Sequence, residues 1–155
     1  AQKAIEVGYN PDIILAGRKM NDSMGSYVAT ETIKIMIDKG ATIKGSNALI
    51  LGITFKENCP DIRNSRVIDI IDELKSYHVN VDVYDPWASK EEVHHEYKLN
   101  LKSEFDGLKS NYDAIILAVS HKEFLEMSLD GLKSKNCVIF DVKSLLPLDV
   151  VDARL

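Results

Sequence analysis

The stretch ALILGITFKENCPDIRNS, residues 48–65, decides how the rest of the chain is read. An apolar run ends at a single glycine, Gly52. A charged, irregular segment follows, and Asn64 and Ser65 then supply residue types that open helices. Strand, polar loop, helix is the order in which α/β proteins present their binding chemistry.

Downstream, Val67, Ile70, Ile71 and Leu74 recur at the i, i+3, i+4, i+7 spacing, which predicts a helix lying on a sheet. Val79, Val81 and Val83 alternate with Asn80, Asp82 and Tyr84, a half-buried strand that stops at Asp85 and Pro86. Ser89 and Glu92 form a capping-box pattern for a short helix reaching about Tyr97, and Phe105 and Leu108 predict another. The run AIILAV, residues 114–119, is apolar on both faces, as a central parallel strand requires. Ser120 and Glu123 repeat the capping box directly after it, opening a helix with Phe124 and Leu125 inside. Residues 138–142 read as the last strand, and the tail LLPLDVVDARL wraps the domain edge. This alternation predicts an α/β fold: a Rossmann-like open parallel sheet with helices on both faces.

Upstream, residues 1–7 resemble the end of a helix closed by Gly8, as in a chain that starts inside an element. Asn10, Pro11 and Asp12 restart a helix that runs to about Lys39, with Ile13, Gly17, Met20, Met24, Val28, Ile35 and Met36 along one stripe. At 1.5 Å per residue it is roughly 40 Å long, more than one face of a small sheet needs. Gly17 and Gly25, with Ala16, Ser26 and Ala29, permit close backbone approach. One reading is packing against a second subunit; the other is a long core helix that tolerates two glycines.

The 155 residues suit one domain with an arm. A net charge of -5 argues against a nucleic-acid partner, which calls for a basic stripe, but leaves room for a local site for a small phosphate. No apolar run approaches the roughly 20 residues that span a bilayer, and the N-terminus lacks a signal-peptide pattern, so a soluble cytoplasmic protein is expected. Cys59 and Cys137 are far apart without a Cys/His cluster, so no metal site or disulfide framework is indicated.

The carboxyl ends of the expected strands bring residues 54–63, 85–87 and 120–122 and Lys143 to one rim. The first loop lacks G-x-G-x-x-G, so a tight pyrophosphate turn is not encoded. It offers Lys56 and Arg63 instead, a point charge and a planar fork suited to phosphate or carboxylate oxygens. They could equally pair with Glu57, Asp61 or Asp85. Cys59 has no cationic or histidine partner in the sequence to activate it as a nucleophile. His78, His94 and His95 read as solvated surface. His121 stands at a strand end as a candidate site residue, and Trp87 either stacks on a base or anchors the sheet edge.

The segments LGITFKENCPDIRNS, VNVDVYDPWA, YDAIILAVSHKEF and VIFDVKSLLP, in that order, resemble the C-terminal domain of the UDP-glucose/GDP-mannose dehydrogenase family. The arm GYNPDIILAGRKMNDSMGSYVA is similar to that family's central dimerisation helix. Within the family the likeness is greatest to UDP-N-acetylhexosamine 6-dehydrogenases of bacterial polysaccharide synthesis. The resemblance implies residues 1–44 as part of the dimerisation region and 45–155 as a nucleotide-sugar-binding domain. It further implies oxidation of a nucleotide sugar's C6 alcohol to a carboxylate by NAD, through a thiohemiacetal on a cysteine. Lys56 matches the lysine that reaches the nucleotide sugar; Arg63 matches an arginine on the cofactor side of the cleft. Asn21, with Asp22, matches a helix motif near the substrate, and Arg18 is a candidate sugar contact. The family's glycine-rich NAD-binding fold and its G-G-x-C nucleophile segment are not in this sequence, and Arg66 stands where the family usually has proline. The resemblance thus implies a homodimeric enzyme of which this chain is a C-terminal part, inactive alone. The alternatives are a free-standing nucleotide-binding module and a dimerisation unit.

Overall fold

The computed structural model describes Lys3, Glu6, Gly8 and residues 11–102 and 104–155. The helix end expected over residues 1–7 lies largely outside the described residues. Helix α1 (Asp12–Asp38) begins after Pro11, with Asp12 in its first turn to complement the dipole.

Among the described residues, six strands form one sheet: β1 (Asn47–Leu51), β2 (Asn80–Tyr84), β3 (Leu101–Lys102), β4 (Tyr112–Leu117), β5 (Lys133–Asp141) and β6 (Ala153–Arg154). Their order is β3-β2-β1-β4-β5-β6 and every pairing is parallel. Ala48 of β1 sits opposite Val81 on one side and Ala114 on the other. Two of these strands are not legible in the sequence. β3 and β6 have two residues each, too few to show an alternation. The tail therefore not only wraps the edge but adds a strand to it. β5 starts at Lys133 rather than Val138, because its first four residues are polar or half-exposed and its register to β4 shifts between Tyr112 and Ala114.

The α2 helix (Val67–Ser76) buries Val67, Ile70, Ile71 and Leu74, the stripe expected of it. In α3 (Lys90–Tyr97), the Ser89 hydroxyl accepts the Glu92 N–H at 3.3 Å. The second capping box does not form. Lys122–Leu125 is a single 3-10 turn whose N-cap position is taken by His121, with no side-chain cap. Phe124 is buried, but Leu125 is 60% exposed, since one short turn has a single inward position.

One face of the sheet carries α1 and α2 over Ala48, Ile50, Ala114 and Ile116. The opposite face packs Leu49, Leu51, Ile115 and Leu117 against Phe124, Leu132 and the tail residues Leu145, Leu146 and Val151. Its cover is 3-10 turns and loops. Burying each such aliphatic side chain contributes about 1.5–3 kcal/mol.

Only the second half of α1 joins this core. Val28, Ala29, Ile33 and Met36 are buried, while Ile13 is 89% and Met20 69% exposed. Gly25 serves packing within the chain: a Cβ there would lie 2.4 Å from the Asp69 Cβ of α2. That corrects its reading as a contact for a second subunit. Among the described residues, nothing lies within 4 Å of a Cβ built on Gly17.

Candidate functional site

The sheet's order reverses at β1, whose neighbours β2 and β4 continue in opposite directions, and the crevice beyond that point is where open α/β sheets bind ligands. Gly52 closes it at the base. Its φ is +91°, and a Cβ there would lie 2.5 Å from the Val119 Cβ, so the chain leaving β1 touches the chain leaving β4. This glycine serves close packing and not a pyrophosphate turn; the residues present here do not fit a dinucleotide.

Two depressions open on the rim. The larger, about 990 Å³, is lined by Cys59, Ile62 and Trp87 and by the carboxylates Asp61, Glu91 and Glu92. Its charge is wrong for a phosphate. The smaller, about 350 Å³, lies between the middle of α1 and the carboxyl ends of β1, β4 and β5. It collects Asn21, Lys56, Arg66 and Lys143 around Val67, the first residue of α2. Arg66 is engaged by Asp22 and Asp69, and Glu57 also lines the groove, so it is Lys56 and Lys143, beside the positive end of the α2 dipole, that make the arrangement able to take an anion.

The expected site residues divide between these two places. Lys56 and Asn21 meet in the smaller groove. Lys56 makes no ion pair among the described residues, and its ammonium lies 5.5 Å from the centre of the Phe55 ring. Arg18 is exposed one turn back along α1 and lines neither depression. Arg63 borders the larger one, and its guanidinium grips Asp61 through Nε at 2.9 Å and Nη2 at 2.8 Å. Local pairing is therefore realised for Arg63 and not for Lys56. The Arg63 hydrogen bonds hold the Asp61 carboxyl down at about 2.

Arg66 bridges α1 and α2 by pairing with Asp22 and with Asp69. Cys59 is half-buried in the larger depression, and burial pushes the Cys137 thiol up to about 12. His78, His94 and His95 are exposed, as expected. Trp87 is anchored: its indole N–H donates to Glu123 at 3.1 Å and its ring stacks on His121 at 6.3 Å.

A buried polar network lies between the two depressions, unread in the sequence beyond the candidacy of His121. Asp85, 4% exposed, accepts the backbone N–H groups of Ile53, Thr54, Trp87 and Ala88. Burial raises its carboxyl pKa, but the hydrogen bonds from His121, Ile53 and Trp87 outweigh this and keep it below the ordinary range. His121, 0% exposed, places Nε2 3.1 Å from Asp85 and 3.0 Å from the Thr54 hydroxyl. The signal was the strand order: β2 and β4 flank β1, so the residues that end them, Asp85 and His121, converge on Thr54.

The UDP-binding domain of the UDP-glucose/GDP-mannose dehydrogenase family matches residues 49–147, from within β1 to beyond the end of β5. The chain belongs to the UDP-glucose/GDP-mannose dehydrogenase family. Among its relatives in that family, the UDP-N-acetyl-D-glucosamine 6-dehydrogenase of Salmonella typhi is 49% identical over 99% of this chain and 36% of its own length. The enzyme of that name from Pseudomonas aeruginosa is 45% identical over the same shares. The chain thus spans about a third of the length of these curated relatives. A solved structure of an NDP-N-acetyl-D-galactosaminuronic acid dehydrogenase from Methanosarcina mazei superposes with a TM-score of 0.83, covering 96% of this chain and 33% of that one. At 21% identity it shares the fold. No helix among the described residues is long and apolar enough to cross a membrane.

Proposed function

We propose that this chain is the nucleotide-sugar-binding part of an NAD-dependent 6-dehydrogenase that oxidises the C6 alcohol of a UDP-N-acetylhexosamine or UDP-glucose to the uronic acid, for polysaccharide precursors. The supporting observation is the groove holding Lys56, Lys143 and the N-terminus of α2, a cationic crevice at the switch point of the sheet. Lys56 and Asn21 contact the nucleotide sugar there, and Arg18, one turn back along α1 and outside the groove, is assigned to the part of the sugar that extends beyond it. Arg63 faces the cofactor side of the cleft.

No residue of this chain is assigned as the nucleophile. NAD is assigned to a portion of the relatives that this chain does not span, since Gly52 is occupied with packing. The work of the chain is to bind, orient and neutralise charge, so that a diphosphate bound in the groove presents its sugar in one position. The first half of α1 joins two copies into a homodimer: Ile13, Gly17, Met20, Met24 and Tyr27 fall at the spacing of a helix–helix seam. The protein works in the cytoplasm.

Calorimetric titration of the chain with UDP tests this reading. The expected result is weak binding, with a Kd of about 1 mM or below, and a loss of about tenfold in Lys56→Ala, equivalent to about 1.4 kcal/mol. No heat at millimolar UDP would overturn it. The chain alone reduces no NAD with any nucleotide sugar; measurable turnover would overturn its assignment as one part of the enzyme.

A further inference from the structure

The turn that carries Lys56 is held from beneath by one buried imidazole. Asn58 donates its backbone N–H to His121 Nδ1 at 2.9 Å, so that nitrogen carries a lone pair and the ring proton sits on Nε2. Nε2 then donates toward Asp85 Oδ2 at 3.1 Å and the Thr54 hydroxyl oxygen at 3.0 Å. The Thr54 hydroxyl donates in turn to the Lys56 carbonyl at 3.0 Å. Asn58 adopts a φ of +54°, which asparagine tolerates, and its side-chain oxygen accepts the Lys122 N–H at 3.2 Å, tying the turn to the segment that bears His121. Residues 54, 56 and 58 are therefore each bound, directly or through one hydroxyl, to the same ring.

We infer that His121 is a positioning residue, which sets the backbone of residues 54–58 and through it the place of the Lys56 ammonium in the groove. The inference rests on the reading of Lys56 as the ligand's lysine. Neutral imidazole suits this post because one nitrogen must accept and the other must donate. Trp87 stacks on it at 6.3 Å, the Phe124 ring packs edgewise with centroids 5.4 Å apart, and the side chain is fully buried, so water does not compete for either nitrogen. A ring without nitrogens leaves the Asn58 N–H and the Asp85 carboxylate short of partners; glutamine can both accept and donate.

The experiment compares the parent chain with His121→Phe, His121→Gln, Thr54→Val and Lys56→Ala, by NMR and by UDP titration. In the parent, the nitrogen-15 shifts of His121 are those of a neutral ring protonated at Nε2; a ring protonated at Nδ1 would overturn the inference. In His121→Phe the Asn58 amide exchanges about tenfold faster or more, the ratio that one lost hydrogen bond supports, while the Ile115 and Leu117 amides of β4 keep their protection. UDP affinity falls by about the factor seen in Lys56→Ala, and His121→Gln recovers part of both losses. Thr54→Val, which keeps the shape of the side chain, reproduces the affinity loss if His121→Phe fails to fold. Unchanged exchange at Asn58 in a folded His121→Phe overturns the inference, as does affinity lost in Lys56→Ala but kept in Thr54→Val and, where it folds, in His121→Phe. Faster exchange with affinity unchanged in every variant, Lys56→Ala included, leaves the positioning of the turn standing and removes the reading of Lys56.

Discussion

Lys56 and Arg63 lie in one loop, carry the same charge, and meet different fates because of what the turn places beside each. Asp61 is two residues from Arg63 and reaches it with both carboxylate oxygens, whereas among the described residues nothing comparable reaches Lys56. The pairing has a pH signature. Asp61 titrates at about 2 in the folded chain against an ordinary 3.8, so what the pair adds to stability is present above 3.8 and is lost as pH falls through about 2. NMR titration of the Asp61 carboxyl should show this low midpoint and its return toward 3.8 in Arg63→Ala. A midpoint near 3.8 in the parent would mean that solvent separates the pair. Both roles were open in the sequence because spacing shows who is near whom along the chain, not which rotamer wins.

At the scale of elements, α1 does two things with one stripe of residues. Its second half lies against α2 and the sheet, and Gly25 marks the closest approach, with the Asp69 Cβ, the Ile70 nitrogen and the Arg66 carbonyl all within 3.2 Å of where a Cβ would stand. Gly25→Ala gains about 1 kcal/mol of helix propensity but overpacks a backbone contact, a cost of about 1–3 kcal/mol that decides the sign. Net destabilisation by about 1 kcal/mol is expected in urea unfolding. Gly17→Ala meets nothing within 4 Å among the described residues of its own chain, and at concentrations where the chain is monomeric it should stabilise by up to about 1 kcal/mol. Equal shifts in the two variants would refute the assignment of the close contact. The stripe itself was legible from its period, but the choice of neighbour was not, since a small residue permits close approach without naming what approaches.

For the whole molecule, the exposed half of α1 is the feature a single copy leaves unexplained. Ile13, Ile14, Met20 and Tyr27 are each 49% exposed or more, a run of apolar surface on one helix that marks an interaction site. Sedimentation velocity should show a dimer for the parent chain and a monomer for the double variant Ile13→Glu, Met20→Glu, with circular dichroism unchanged beyond the fraying of α1. A monomeric parent at high micromolar concentration would overturn the proposed role of this helix in the homodimer.

The sequence alone determined the parallel sheet, the two central strands, the covering helix α2 and the family, because long apolar runs and a strict 3.6-residue period are local properties of a chain. It also brought Lys56 and His121 forward as candidates. Tertiary structure decided the rest. β3 and β6 exist only as partners of β2 and β5, and the helix expected after Val119 shrinks to one turn when His121 is drawn inward. Asp85, Thr54 and His121 become one network only because the strand order places β2 and β4 on either side of β1. Hydrogen bonds between residues more than thirty positions apart are fixed by register, which no local pattern encodes.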